Sequence, residues 1–362
     1  MLVSGFVKPI NLTVMSFPSN TNRSTPISGF FATRRASGKL ENLYLRLERV
    51  TVRAAFFCGD FGLNICIARK NGRFDVTDET EAGAVTLDYA TPHESLRDFF
   101  SVFYEFRADM PLFEDVERAD LAQLRFVLKG HGHYTFTDST SMKAPAIMIV
   151  GPSTGPTAVR VEGPVHMFGV GLLPAGWGAL LDFEASVLVN RVIDATDVFG
   201  SGLNRTMAEF RSAVCFDERV AIGNAFAREM VARGKSGASD FTRTVDQWLS
   251  SSPSPDVEEL VRVTGISRRQ VERNCKRFYG SPPKVLARKY RALKAAIAIA
   301  KGEGMAQDLV DDGFYDQSHF IREIKHFTGI TPGKIAEEFS VLAKLTLKRT
   351  EFGELASLIT TT

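Results

Sequence analysis

One segment of this 362-residue chain is written twice. Asp256–Pro282 reads DVEELVRVTGISRRQVERNCKRFYGSP, and Met305–Pro332 reads MAQDLVDDGFYDQSHFIREIKHFTGITP. Val261, Gly265 and Ile266 align with Leu309, Gly313 and Phe314 at a spacing of 48. Past the glycine, Val271, Arg273, Cys275, Phe278 and Gly280 align with Phe320, Arg322, Ile324, Phe327 and Gly329 at 49, and Pro282 with Pro332 at 50. An internal repeat of this kind narrows the fold before any other property is considered. Each copy predicts a short amphipathic helix, a turn at glycine and a second helix. Phe320, Ile324 and Phe327 recur at i, i+4 and i+7, the stripe of a helix buried on one side. Gly313 supplies a turn between helices, and Asp316 or Ser318 supplies an N-cap. Between the copies Lys284–Lys301 (KVLARKYRALKAAIAIAK) consists largely of strong helix formers. Its 18 residues would span about 27 Å as a helix, a rod able to hold two units apart. Neighbouring major-groove segments on one DNA face lie about 34 Å apart.

The side chains left off the buried stripes suit base edges. Arg268, Arg269, Glu272, Arg273 and Lys276 sit on the second helix of the first copy; Gln317, Ser318, His319 and Arg322 occupy the same helix of the second. Arginine pairs bidentately with guanine, glutamine with adenine, and glutamate accepts from cytosine. Phosphate contact is the alternative, above all for the matched pair Arg273 and Arg322. The net charge of +2 conceals a local block: Arg262–Lys301 carries twelve Lys/Arg against the single acid Glu272. Such a block neutralises phosphates and makes binding salt-dependent.

The C-terminal part resembles the DNA-binding domain of AraC/XylS-type transcriptional regulators over about residues 239–337. The runs Gly265-Ile266-Ser267, Gly280-Ser281-Pro282-Pro283, Gly313–Arg322 and Thr328-Gly329-Ile330-Thr331-Pro332 carry the resemblance. It departs from the family at Cys275 and Ile324, where phenylalanine is usual, and at Glu272. The resemblance implies two helix-turn-helix units joined by a long helix, with double-stranded DNA as partner and RNA polymerase as a further one; the scattered cysteines fit a reducing cytoplasm. The resemblance also implies a cupin-like domain upstream, which senses a small-molecule effector or forms a homodimer.

The upstream residues read accordingly. Ser101–Phe106, Leu124–Leu128, His133–Phe136, Ala146–Val150, Ala158–Val161 and Val165–Val170 are short runs rich in Val, Ile, Phe and Tyr between turn residues. They predict a β-barrel or sandwich. After Pro174 the periodicity turns helical, over Trp177–Ala185, Leu203–Val214 and Asp217–Arg233, with Asn190–Phe199 a shorter piece. The fold class expected is thus α+β. A cupin-like barrel or sandwich with packed helices spans 91–233, β-rich over 91–172 and helical over 174–233. A Gly/Ser linker (234–239), an all-α DNA-binding domain (240–340) and a tail (341–362) follow. Residues 1–40, rich in Ser, Thr, Asn and Pro and free of acids, read as disordered; 41–90 resist placement, apart from a tight turn at Asn71-Gly72.

Other chemistry is weakly supported. His131-Gly132-His133 sets two imidazoles at i and i+2 of a strand, on one face, and Asp138 and His166 would complete a cupin-type metal site. The family's usual glutamate is missing, and a surface histidine pair is the simpler reading, so no metal and no cofactor are expected. The four cysteines are scattered without C-x-x-C, and no apolar run reaches membrane-spanning length. Neither Gly151–Gly155 nor Gly169–Gly176 has the context of a phosphate loop, and no catalytic elbow is present, so an enzyme is not expected. Two other readings remain beside an effector-responsive regulator: a constitutive DNA-binding protein, and a metal-dependent cupin enzyme fused to a DNA-binding domain.

Overall fold

The structure is a computed structural model that describes residues 83–235, 239–252, 254–302 and 313–337, together with the backbone of six earlier strands. The chain forms two compact units, Met1–Tyr44 and Leu45–Thr362. In the first, strand β1 (Leu12–Thr13) pairs with β2 (Phe31–Ala32). Strand β3 (Tyr44–Leu47) pairs with β4 (Val50–Arg53). Most of the segment expected to be disordered, the middle of the linker, the short helix expected at Met305–Asp312 and the C-terminal tail all lie outside the described residues.

The β-rich part is built on two long strands. β10 (Ala122–Phe136) and β13 (Thr157–Leu172) run antiparallel along their whole length. Each contains two of the short runs read from the sequence. Around them the order is β14 (Val192–Asp194), β12 (Ile147–Val150), β10, β13, β8 (Phe100–Ala108), β7 (Gly83–Ala90), β6 (Arg73–Thr80) and β5 (Ile65–Lys70). β5 and β6 meet through Lys70 opposite Arg73, on either side of Asn71-Gly72. β11 (Ser141–Lys143) adds to the far half of β10, and β9 (Leu112–Glu117) to the near half of β13. The sheet-rich domain expected from the sequence as a barrel or sandwich is present, but its sheet does not close: it is an open, folded sheet. The fold line falls where the β10–β13 register shifts, between Val127 and Lys129 and between Lys129 and His131. Such bulges bend a strand and sharpen its twist. Glycine is needed at this corner: Gly130 has φ +91°, and a Cβ on Gly132 would lie 2.2 Å from the Arg160 carbonyl oxygen.

Period-two alternation then divides the side chains between two cores. Val85, Leu87, Tyr89, Val102, Phe106 and Val165 line the concave face, while Phe103, Leu124, Phe126, Phe168 and Val170 line the other. The second face is covered by α1 (Pro174–Leu180), α3 (Leu203–Ser212) and α4 (Phe216–Arg233), through Trp177, Phe210 and Phe216. The sequence expectation of a helix at Trp177–Ala185 shifts: α1 starts at Pro174, where proline's fixed φ suits a first turn, and Leu181 is already extended. Asn190–Phe199 is the edge strand β14 followed by a single turn, α2 (Thr196–Phe199), in place of the helical piece expected.

The C-terminal domain comprises α5 (Ser239–Ser251), α6 (Val257–Thr264), α7 (Arg268–Tyr279), α8 (Pro283–Lys301), α9 (Gln317–Thr328) and α10 (Pro332–Glu337). The rod expected between the repeats is α8, and it belongs to both units. Leu286, Ala287 and Tyr290 join a core with Trp248, Leu260, Val271 and Cys275. Ala292, Ala295 and Ala296 join another with Phe314, Phe320, Ile324 and Phe327. Cysteine and isoleucine at the two positions that depart from the family pattern are fully buried, acting as small apolar plugs. Buried Glu323 fixes α9 on α8 by taking both arms of Arg288, at 2.9 and 2.6 Å. Burial alone would raise its pKa, but the Arg288 hydrogen bonds and charge hold the carboxyl below the ordinary glutamate value.

The sign follows from that depression: the stabilisation is complete above the ordinary glutamate range and disappears as pH falls through the lowered folded value. Glu323→Ala is expected to cost about 1–3 kcal/mol at pH 7, discounted because Arg288 is partly exposed. It should also remove part of the acid-side loss of stability. Urea melts at pH 7 and pH 4 measure both effects; equal losses at the two pH values would refute the assignment.

Candidate nucleic-acid interface and effector cavity

Both recognition helices are built from their caps inward. The Ser267 side chain accepts from Gln270 N, and the Gln270 carboxamide oxygen accepts from Ser267 N at 3.0 Å, a capping box that sets the start of α7. Asp316 Oδ1 accepts from His319 N at 2.6 Å and starts α9. Each helix ends on a left-handed glycine, Gly280 (φ +80°) and Gly329 (φ +84°). The turns before them differ. Gly265 is left-handed at φ +67°, whereas Gly313 has φ +144°.

Of the residues picked from the sequence for DNA contact, Arg268, Arg269, Glu272, Arg273, Lys276, Gln317, Ser318 and Arg322 are exposed. Arg268 is held between Glu258 and Glu272, the latter at 3.8 Å, so two of the candidate contacts are paired with each other. His319 is half-buried and turned into its own turn. Its Nδ1 accepts from Tyr315 N at 3.3 Å, its ring meets Phe314 edge-on at 5.9 Å, and Glu323 lies 4.0 Å away. Its geometry is that of a turn organiser as much as a base reader.

The four residues considered for a metal are drawn to separate partners. His131 pairs with Glu162 at 3.0 Å, His166 with Glu105 at 2.5 Å, and Asp138 with Arg191 at 2.8 Å. His133 is exposed. Among the described residues no group of three His, Cys, Asp or Glu side chains is arranged to hold a metal.

What the sequence reading missed is a cavity of about 280 Å³ in the concave face of the folded sheet. Leu87, Phe106, Phe113, Val159, Val161 and Met167 make it mostly apolar. One wall is polar: Glu117, Asp120, Gln123, Arg125, Tyr104 and Tyr134. Buried Arg125 is the hub, donating to Tyr104, Gln123 and Tyr134 and pairing with Glu117 at 3.0 Å. Burial works against its charge, but Glu117 and the tyrosine oxygens keep it above its ordinary pKa. Burial also raises Tyr104 and Tyr134, so both stay protonated donors. A polar residue at alternate positions of an otherwise apolar strand, as in Gln123-Leu124-Arg125-Phe126, was the available signal.

The cavity wall and the DNA-binding domain share a loop. Between β9 and β10, Ala119 N donates to Phe327 O at the end of α9, at 2.8 Å. Lys289 of α8, 5% exposed, reaches into the same loop and donates to Asp120 O at 2.6 Å and Ser153 O at 3.0 Å. Burial, set against the favourable charge of Asp120, lowers its pKa to about 8. The two C-cap glycines complete the contact: a Cβ on Gly280 would lie 2.7 Å from Val189, and one on Gly329 3.0 Å from Pro156. Docking therefore uses the C-terminal ends of both recognition helices and leaves their N-terminal turns exposed.

Comparison with known proteins divides the chain along the same line. A family described as a helix-turn-helix domain matches residues 260–338. A domain of unknown function (DUF6597) matches residues 89–194. No curated protein matches. Solved structures with similarity include ToxT from Vibrio cholerae strain SCE256 bound to an unsaturated fatty acid, at 10% identity over 65% of this chain and 94% of that one, with a TM-score of 0.37. The AraC-like transcriptional activator CuxR aligns at 13% identity over 59% of this chain and 80% of that one, with a TM-score of 0.30.

The glycines separate backbone conformation from docking. Gly265→Ala meets nothing within 4 Å and should cost only the left-handed penalty, about 1–2 kcal/mol. Gly280→Ala should cost more, because the new methyl also displaces Val189. Thermal denaturation of the two variants of the whole chain measures the difference; equal losses would show that the Gly280 contact carries no weight.

Proposed function

We propose that this chain, a DNA-binding transcriptional regulator by virtue of its AraC-type helix-turn-helix domain, is switched by a small molecule held in the cavity of its upstream domain. The observation that carries the reading is the 118–120 loop. Arg118 and Asp120 line the cavity, while the main chain of Ala119 and Asp120 bonds to Phe327 and Lys289. An effector that prefers one arrangement of that loop shifts the docking equilibrium by its differential affinity for the two arrangements. A constitutive DNA-binding protein would not need a wall shared in this way. The DNA contacts follow the exposed N-terminal turns: Arg269, Glu272, Arg273, Gln317 and Arg322 toward base edges or backbone, Arg268 after release from Glu258, Lys276 and Ser318 beside them, and His319 through the turn it organises. RNA polymerase and a second copy of the chain are the protein partners this reading entails, and the cytoplasm its location.

Two measurements test it. In selection of bound DNA from a random library, Gln317→Ala and Arg269→Ala are expected to relax the preferred sequence, each losing about 1–3 kcal/mol of discrimination. Lys284→Ala should weaken all sequences alike and flatten the salt dependence. An unchanged preference in both recognition-helix variants would refute these contacts.

The second concerns Lys289. Its docked pKa, about 8, lies below the ordinary lysine value. The undocked state therefore binds more protons between that value and the ordinary one, about 10.4, and docking strengthens as pH rises through this window. Fluorescence transfer between labels on the two domains should increase from pH 8 to 9.5, and Lys289→Met should abolish the trend. The same variant should make DNA affinity insensitive to a metabolite extract that alters it in the native chain. A native chain whose DNA affinity no extract alters would overturn the switch.

A further inference from the structure

The chemistry of the effector can be narrowed, given the reading of the cavity as its site. The buried charges of the polar wall are balanced: Arg118 and Arg125 face Glu117 and Asp120, while His131 and Lys143, which also line the cavity, are exposed. Arg125 spends its Nε, one Nη1 and both Nη2 hydrogens on Tyr104, Gln123, Tyr134 and Glu117. The Asp120 carboxylate accepts from Gln123 Nε2 at 2.8 Å and from Leu121 N at 2.7 Å. Tyr104 donates to Gln123 Oε1 and accepts from Arg125. Tyr134 is one exception. It is 3% exposed, lines the cavity, and accepts from Arg125 Nη1 at 2.7 Å. Among the described residues its own proton meets no acceptor, an omission that burial makes costly unless a ligand or water supplies one.

A carboxylate placed against Tyr134 would have to share Arg125 with Glu117, 3.0 Å from the guanidinium. An ammonium there would face Arg125 itself. Either ion would leave water for a largely apolar chamber in which the buried arginines already face two carboxylates. An uncharged acceptor has no such conflict. For size, about 280 Å³ is roughly twice the cavity of about 150 Å³ that takes up benzene.

We propose that the cavity takes an uncharged, largely apolar molecule of about ten non-hydrogen atoms, whose one hydrogen-bond acceptor receives the Tyr134 hydroxyl proton. Its apolar body fills the space between Phe106, Phe113 and Met167.

The test titrates the full chain by calorimetry with four probes of matched shape: 4-phenylbutan-2-one, butylbenzene, 3-phenylpropanoate and 2-phenylethylammonium. The ketone is expected to bind at least tenfold tighter than either ion. Tyr134→Phe should weaken the ketone by roughly 3–10-fold and leave butylbenzene unchanged. Val161→Trp, which fills the chamber, should abolish binding of all four, with a native circular dichroism spectrum verifying that both variants fold. The proposal is overturned if the carboxylate or the ammonium binds as tightly as the ketone, if Tyr134→Phe leaves the ketone's affinity intact, or if no probe binds. Those outcomes do not touch the switch itself, which fails only if metabolite extracts leave DNA affinity unaltered.

Discussion

The arrangement of the larger unit depends on one buried ammonium group. Lys289 gives up its hydration to enter the upstream domain, and the main-chain carbonyls of Asp120 and Ser153 replace only part of it. Taking a charge out of water costs several kcal/mol even after relaxation, and the lowered pKa records that cost. A methionine at the same place would pack without it. The contact is therefore strained toward release, held by the surrounding apolar and glycine contacts and opposed by the charge at its centre. In the switch proposed above, that opposition keeps the free-energy difference between docked and released states small.

The upstream domain supplies that contact through the geometry of two strands. β10 and β13 each serve both halves of the folded sheet and join the cavity to the fold corner at Gly130–Gly132, where their register shifts. Arg125 sits on β10 three residues into the strand that leaves the Asp120 loop. Gln123, between them, bonds to both Arg125 and Asp120. The route from cavity to Lys289 is thus a short chain of direct contacts, and it passes through main-chain atoms that side-chain substitution cannot delete.

The DNA-binding half was legible because its constraints are local. Caps, left-handed glycines and a period of 3.6 residues are written within a dozen positions, and duplication at a spacing of 48 to 50 made each copy a check on the other. The β-rich part of the upstream half was legible only as a succession of strands. Leu124–Leu128 and His133–Phe136 look like two strands because turn-forming Gly130 and Gly132 lie between them, yet those glycines form a bulge that bends one strand. Whether a sheet closes depends on pairing between distant strands, which no window of sequence contains. The cavity was missed for the same reason: Glu117, Arg125 and Tyr134 converge only after β9 and β10 are brought together. The His131–His133 pair drew attention through its spacing, but spacing does not reveal that Glu162 and Glu105 already engage His131 and His166.

The repeat explains a further asymmetry. Gly280 and Gly329 occupy equivalent positions, and each must be left-handed to end its helix; that alone accounts for glycine at both. In this protein the absence of a side chain is used a second time, since Val189 and Pro152 press on the first glycine and Pro156 and Val116 on the second. The C-terminal end of each helix is where its backbone is barest, so a second domain can approach there without covering the exposed N-terminal turn proposed to meet DNA. A duplicated helix-turn-helix therefore offers two equivalent docking points along with two reading heads, and one upstream domain can restrain both at once by holding the rod between them.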